Sequence, residues 1–515
     1  MTSNESLKPT FFKAVKNGSV EYLHQLRLKK GVKISTDLAR FYNDFGETPL
    51  LVAIRYRHFN VVKCLFEDFK VSVSQTGQFP WKDSTYLEVL PIFAAIVSDQ
   101  LSMVEYLYVK EMEDEPPLKS LDSVLLSWMP RLQKINQLEL VGAAFILFED
   151  VIACQLGWTY LKIAMRLRQF PTDGGSKIPK IPYQFSTREI KAFEMKGTTE
   201  VSILKKLEET KPDSPWLTHQ ALLITRRILS QVDFYPNLYT AMHMCMRLTD
   251  SDCFDCEVIF HQSMYILELM KTFEWNQERT CDEDLVKAWK IMNRTNCQLG
   301  DSLSLDVECN IQTNFSDCMF AFVTCYNLIE IFYYPEDKVA SLKDISPSRN
   351  LLSIIAELVI RRMLPQLSPQ EKQEFKRNLS RSIRLFNGWG INQPNYLHRL
   401  LFSFPYPDER WVEAVQLLLE VGADPNTLDD EGKTPLHSLA LGDFWTNSAA
   451  QFPPSFIAVL NVILEAGGNI EQVNSDGDTP LKLFQDRQAL QKAKKGFVDP
   501  HLEAVIQLSN LSLSN

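Results

Sequence analysis

WVEAVQLLLEVGADPNTLDDEGKTPLHSLA, residues 411–440, decides how the rest of the chain is read. Val412, Val415, Leu418 and Leu419 fall at helical spacing, so one face of the first segment is apolar. Gly422 follows directly, where a helix end favours a left-handed residue. Asp424-Pro425-Asn426 turns the chain, and Asp429-Asp430-Glu431-Gly432 turns it again. Thr434-Pro435 predicts the next helix, with threonine as its cap and proline at the first helical position. The cycle restarts in VILEAGGNIEQVNSDGDTPL, residues 462–481.

A turn followed by two helices, opened by T-P-L-H, is the ankyrin signature, and Thr434-Pro435-Leu436-His437 matches it residue for residue. The pattern appears far upstream as Asn43-Asp44-Phe45-Gly46-Glu47-Thr48-Pro49-Leu50. The fold class is therefore all-α, an ankyrin-repeat solenoid flanking a tetratricopeptide-like helical region. Stacked units of this kind offer an extended concave surface to other proteins.

At 515 residues the chain exceeds what one core supports, so two or three domains are expected. Hydrophobic content of 45% and charged content of 23% are those of a globular protein. A net charge of −10 argues against nucleic-acid or anionic-membrane binding. Ten cysteines scattered over this length do not make a secreted disulfide framework. MTSNESLKPT lacks an apolar signal core, and the runs Leu140–Phe148 and Leu351–Ile360 are interrupted by Glu149 and Glu357. The expectation is a cytoplasmic protein, with the nucleus also compatible, and no membrane partner.

Residues 11–30 read as a worn first repeat with Phe12, Val15, Val20, Leu23 and Leu26 buried and a turn at Asn17-Gly18. The second repeat, Thr48 to Phe69, turns Leu51, Ala53, Ile54, Val61, Val62, Leu65 and Phe66 inward, while Arg55, Tyr56, Arg57 and His58 crown its inter-helix turn. An irregular segment, VSVSQTGQFPWKDSTYLEV, leads to a third unit from Leu90 to Met112. The acidic string Glu111–Glu115 reads as a solvated linker. The N-terminal repeats thus occupy 1–115, a helical region 116–390, and returning ankyrin repeats 391–515. Leu132, Ile135, Leu138, Val141, Ala144 and Phe145 are spaced for one helix of the middle region, and Pro171–Gln184 for a surface loop. From Ser214 three apolar helices resemble tetratricopeptide units, and helices are predicted at Leu285–Met292, Asp317–Phe332, Leu351–Leu364 and Gln370–Leu385. Strand-like alternation is nearly absent. The insertion GDFWTNSAAQFPPS stretches the step from Thr434 to Thr479 beyond the ~33 residues usual for the repeat.

Gly300-Asp301-Ser302-Leu303-Ser304 imitates a G-D-S-L esterase block, but none of the eight histidines follows an aspartate by three positions to serve as base. It reads as a polar inter-helix loop. Cys253 and Cys256, with Cys245, His243 and His261 nearby, lack the second C-x-x-C that structural zinc usually recruits. His437 is expected to hydrogen-bond a neighbouring turn. No phosphate-cradling loop, dinucleotide fingerprint or H-E-x-x-H is present. No catalytic residue, metal ligand or cofactor is assigned, and the chain is read as a non-enzyme.

Ankyrin, then tetratricopeptide-like helices, then ankyrin again resembles the feminization ("Fem-one") family. GETPLLVAIRYRHFNVVKCLFEDFKVSVSQTGQF looks like that family's early repeat with its QTG-bearing tail. KINQLELVGAAFILF and HQALLITRRILS look like its central block, and VQLLLEVGADPNTLDDEGKTPLHSLA like its returning pair. The resemblance implies a substrate receptor of a cullin–RING ubiquitin ligase that captures the C-terminal tails of target proteins and docks elongin and cullin subunits through a C-terminal box. It places the family's F-D-G pocket segment at Phe79-Pro80-Trp81-Lys82-Asp83. The closing HLEAVIQLSNLSLSN lacks the box's cysteine and proline, so Leu502–Leu508 would have to substitute. The alternative is a non-catalytic ankyrin scaffold that has lost ligase docking. Arg55, Tyr56, Arg57, Phe59, Trp81 and Asp83 are the expected partner-binding residues, because exposed aromatic and arginine side chains supply most interface hot spots.

Overall fold

The computed structural model describes residues 6–81, 84–113, 119–148, 150–170, 175–181, 184–192, 200–202, 204–212, 214–229, 240–244, 256–272, 282–304, 313–332, 345–388, 396–403, 409–442 and 454–495. The chain divides into two compact units, Met1–Met292 with Glu336–Ser341, and Asn293–Pro335 with Leu342–Asn515. Helices dominate both, as the periodicity predicts.

The first unit begins with helix pairs α1 (Lys8–Lys16) and α2 (Val20–Lys30), α4 (Pro49–Arg55) and α5 (Phe59–Glu67), and α6 (Pro91–Val97) and α7 (Leu101–Glu113), with α3 (Val32–Ala39) after the first pair. Helices α1, α4 and α6 pack side by side in one layer, and α2, α5 and α7 in the other. Thr48 starts α4 by accepting the Leu51 N–H at 3.1 Å, which satisfies a backbone donor the helix cannot. Between paired helices the backbone makes one repeated move. Gly18, Arg57 and Asp99 each take a positive φ, and the residue after each donates its N–H back into the preceding helix. Adjacent turns are laced together. His58 Nε2 bonds the Lys16 carbonyl at 2.8 Å, Gln100 Nε2 donates to the Ile54 carbonyl at 2.7 Å, and Arg57 Nη2 to the Ser98 carbonyl at 2.6 Å.

The segment read as irregular is a β-hairpin, β1 (Gly77–Trp81) and β2 (Ser84–Val89), antiparallel with a register shift between Gly77 and Phe79. Its Pro80 and aromatic run gave no clean two-residue alternation, and long-range packing supplies what alternation did not. Trp81, Tyr86 and Phe93 pack with ring centroids 5.0–5.7 Å apart. The predicted solvated linker is also corrected at its start. Glu111 is buried within α7 and accepts from Ser120 Oγ at 2.6 Å, so helix α7 continues through Glu113, and Asp114 and Glu115 lie outside the described residues.

Beyond α8 (Lys119–Leu126), α9 (Arg131–Leu147) and α10 (Val151–Gln169) form the most extensive helix pair, followed by α11 (Thr187–Ala192), α12 (Leu204–Glu208) and α13 (Pro215–Leu229), with Cys256–Thr272 against α11. Of the predicted α9 stripe, Ile135, Leu138, Val141, Ala144 and Phe145 are fully buried, while Leu132 is half exposed. Of the tetratricopeptide-like helices, the middle one lies mostly outside the described residues. The loop read as surface between α10 and α11 sends Lys180 inward: its Nζ lies 2.5 Å from Glu200.

In the second unit, Tyr396–Ser403, Pro435–Leu441 and Pro480–Lys495 pack in succession, and Glu409–Glu420 packs on Pro454–Glu465, restoring the two-layer arrangement. Gly422 takes φ 99°, as its position past the helix predicts. Two hairpin loops of this unit repeat one device. Asp429 Oδ1 accepts the N–H groups of Glu431 and Lys433, and Asn474 Oδ1 those of Asp476 and Asp478. Asn43 Oδ1 does the same for Phe45 and Glu47 in the first unit.

His437 shows why the signature carries histidine. Its Nδ1 accepts from the Thr434 N–H at 3.0 Å and lies 2.9 Å from Thr434 Oγ1, while Nε2 donates to the Asp478 carbonyl at 3.1 Å. His398 Nε2 reaches the Lys433 carbonyl at 2.8 Å in the same way. The His437 ring must be neutral to accept at Nδ1 while donating at Nε2, and burial lowers the pKa of both His437 and His398. We expect His437→Ala to cost about 1–3 kcal/mol, since buried backbone groups lose partners. A depressed folded pKa means the contribution is present above the unfolded value near ~6.5 and is lost as pH falls below it. Urea midpoints between pH 7.5 and 5 check this: the wild type should lose stability on acidification and the variant less so.

Candidate functional site

Of the expected partner-binding residues, Arg55, Tyr56, Arg57 and Phe59 lie at the turn between α4 and α5, but they do not share one environment, and Trp81 lies on β1. Arg55 is exposed and its Nη1 lies 2.5 Å from Glu47 Oε1, a carboxylate buried at the start of the repeat. Tyr56 lies between two cations, with Lys16 Nζ 5.2 Å and Arg55 Cζ 5.3 Å from its ring centroid. Arg57 holds φ 61° and reaches across to the next turn through Ser98. A non-glycine residue in this region carries a backbone cost of about 1–2 kcal/mol, which the side-chain hydrogen bond offsets. Lys16, Arg55 and Arg57, with the Glu47 carboxylate paired to Arg55, thus gather around the half-buried ring of Tyr56.

Phe59 and Trp81 are corrections to the expectation of exposed hot spots. Phe59 is 7% exposed and Trp81 6%, so both are packing residues. Phe59 stacks edge-on with Tyr106 at 5.7 Å, and Trp81 anchors the hairpin to α6 through Phe93. Sequence spacing placed Phe59 beside the turn and the family resemblance placed Trp81 in a pocket segment, while the neighbouring repeat covers both. Asp83 lies outside the described residues, as does Lys82; Phe79 is buried and Pro80 exposed on β1.

A second feature belongs to the other unit and was not anticipated. A cleft of about 880 Å³ opens beside the Asp429–Lys433 hairpin loop and the helix Ser346–Leu358. Its wall carries Glu357, which accepts from Arg361 at 2.9 Å and Arg399 at 3.1 Å, and Phe402, which is 46% exposed. Arg399 also donates to Asn350 Oδ1 at 3.2 Å. The mixture of paired charges, a half-exposed aromatic ring and acidic loop residues suits a polar polypeptide segment. The sequence marked the hairpin signature at 429–433 and the helix bearing Glu357, but not that they share a cleft.

The other candidates take structural places. Gly300–Ser304 lies within the helix Asp282–Ser304 rather than in a loop, and Ser302 Oγ donates to the Leu299 carbonyl at 2.9 Å. Its polar residues occupy a continuous helical period, which the glycine masked. Cys256 is buried, His261 Nε2 lies 3.6 Å from Glu257, and Cys245 and Cys253 lie outside the described residues. Burial pushes the His243 pKa down to about 3, and its ring packs edge-on against Phe148. Among the described residues, no helix is long and apolar enough to cross a membrane.

Comparison with known proteins agrees with this architecture. The family profile "Ankyrin repeat" matches residues 45–75, which cover the second helix pair and its following loop. Protein fem-1 homolog A of Homo sapiens is 24% identical over 533 aligned positions, covering 96% of this chain and 71% of that protein. The Bos taurus protein of the same name is 23% identical, covering 96% of this chain and 70% of its own length. A putative ankyrin repeat protein of Rickettsia felis is 39% identical over 69 residues, 13% of this chain and 27% of that protein.

Proposed function

We propose that this chain, a diverged fem-1-like ankyrin-repeat protein, is a non-catalytic substrate-recognition subunit of a cullin–RING ubiquitin ligase, working in the cytoplasm. What carries the reading is similarity spanning nearly the whole chain, joined to ankyrin pairs stacked near both ends. The partner ligase would supply the chemistry, and this chain would hold the target. The tyrosine-centred patch of Lys16, Arg55, Tyr56 and Arg57 suits a target segment rich in carboxylates, a chain terminus among them. Elongin and cullin subunits would dock through the C-terminal segment.

Affinity purification of the full chain from cells, followed by mass spectrometry, tests the proposal. Retained elongin and cullin subunits support the receptor, and their absence leaves the plain scaffold. Target capture should fall about tenfold in Tyr56→Ala, a loss of about 1.4 kcal/mol. Capture unchanged by Tyr56→Ala and by Arg55→Glu would move the target site elsewhere.

A further inference from the structure

We propose that His24, Cys64 and Asp68 form a binding site for one divalent transition-metal ion of the zinc class, joining α2 to α5 across the first two repeats. His24 lies in the middle of α2, while Cys64 and Asp68 stand one helical turn apart at the end of α5. His24 Nδ1 is 2.7 Å from Asp68 Oδ2, and Cys64 Sγ is 3.6 Å from the same oxygen. All three ligand atoms lie within 4.8 Å of one another. Tetrahedral zinc, with bonds of ~2.0–2.3 Å, holds such atoms roughly 3.3–3.8 Å apart. Small side-chain rotations therefore suffice to open the site.

The surroundings favour a ligating carboxylate. Arg27 takes Oδ1 of Asp68, which leaves Oδ2 directed at His24 and Cys64. An outer partner of this kind fixes the orientation of a metal-bound carboxylate. Asp68 also caps the C-terminal end of α5, where the helix dipole disfavours an anion. Arg27 from the neighbouring helix offsets this at Oδ1, and a cation at Oδ2 would add to it. Imidazole nitrogen, thiolate and carboxylate make a zinc-type donor set, and the half-exposed His24 leaves a fourth position for water.

Binding has a proton balance. Burial, and then Asp68, push the Cys64 thiol up to about 12. The metal–sulfur bond therefore forms as the S–H bond breaks, and the proton passes to solvent.

Cobalt(II) titration of the full chain, with zinc as competitor, tests the site. A saturable near-ultraviolet thiolate-to-cobalt charge-transfer band is expected, displaced by zinc and lost in Cys64→Ser. His24→Ala, a change at an exposed side chain, should weaken cobalt binding at least tenfold while leaving circular dichroism unchanged. No band in the wild type, or an equal band in Cys64→Ser, overturns the proposal. So does cobalt affinity in His24→Ala equal to that of the wild type. The outcome is independent of ligase association.

Discussion

Gly157→Leu is expected to prevent α9 and α10 from docking and to leave the first unit without a stable native state. A β-carbon at Gly157 would meet the Gly142 carbonyl oxygen at 2.4 Å and the Ile146 backbone nitrogen at 3.0 Å. These are backbone atoms of the facing helix, so no side-chain rotation relieves the overlap. Conversely, a β-carbon at Gly142 would meet the Gly157 carbonyl at 2.9 Å. The two glycines thus set the distance between the helices. Even Gly157→Ala is informative, because two effects of opposite sign compete. Alanine improves helix propensity by about 1 kcal/mol, while overpacking costs about 3 kcal/mol when backbone must move. We expect a net loss of about 2 kcal/mol for alanine and loss of cooperative unfolding for leucine. Gly300→Ala is the control, since its β-carbon would meet only the Ile354 Cδ1 tip at 3.2 Å. Urea denaturation followed by circular dichroism should find Gly300→Ala neutral or stabilising. Equal effects at the two sites would refute the close-approach argument.

Glu139→Gln is expected to destabilise the first unit by about 3–5 kcal/mol, the usual consequence of removing one member of a buried ion cluster. Glu139 on α9 is 1% exposed and receives Arg168 Nε and Nη2 of α10 at 2.7 and 2.8 Å. Arg227 of α13 reaches its other side at 2.6 Å. Arg227 also lies 2.6 Å from Glu200, which holds Lys180 at 2.5 Å. Three cations share two carboxylates, so loss of Glu139 leaves Glu200 alone among them. Burial by itself would raise the Glu139 pKa, but Arg227, then Lys180 and Arg168, outweigh it and hold the carboxyl well below the usual range. A depressed folded pKa means the stabilisation is present above the unfolded value near ~4.3 and lost only as pH falls through the lower folded value. The deficit of Glu139→Gln should therefore be the same at pH 7 and pH 5. A deficit that vanishes by pH 5 would show that Glu139 is not held ionised. Cycles pairing Glu139→Gln with Arg168→Met separate the mutual interaction from the cost of stranding each partner.

These two sites fall in segments where sequence reading reached only part of the physics. KINQLELVGAAFILF was legible as an amphipathic helix, and Ile135, Leu138 and Val141 are where the period puts them. Nothing in that period distinguishes Gly142 from an ordinary small residue, or Glu139 from a solvated one. Each acquires its role from a residue far along the chain. The partner-binding expectation divides in the same way. Arg55, Tyr56 and Arg57 occupy the inter-helix turn that their spacing marks, whereas Phe59 and Trp81 are covered by Tyr106 and Phe93 of the next repeat.

Sequence alone determined the elements whose physics is local. Thr48 caps the helix it opens, Gly422 and Gly18 adopt the positive φ their turns require, and Asp429 and Asn474 bond amides within four residues. Each interaction closes within a few residues, so residue type and spacing suffice to specify it. Tertiary structure decided the hairpin at Gly77–Val89, the Gly142–Gly157 approach, the ions around Glu139 and the meeting of His24 with Cys64 and Asp68. Those depend on which helix faces which across distant stretches of chain, and on burial that turns a neighbour's charge or volume into a dominant energy.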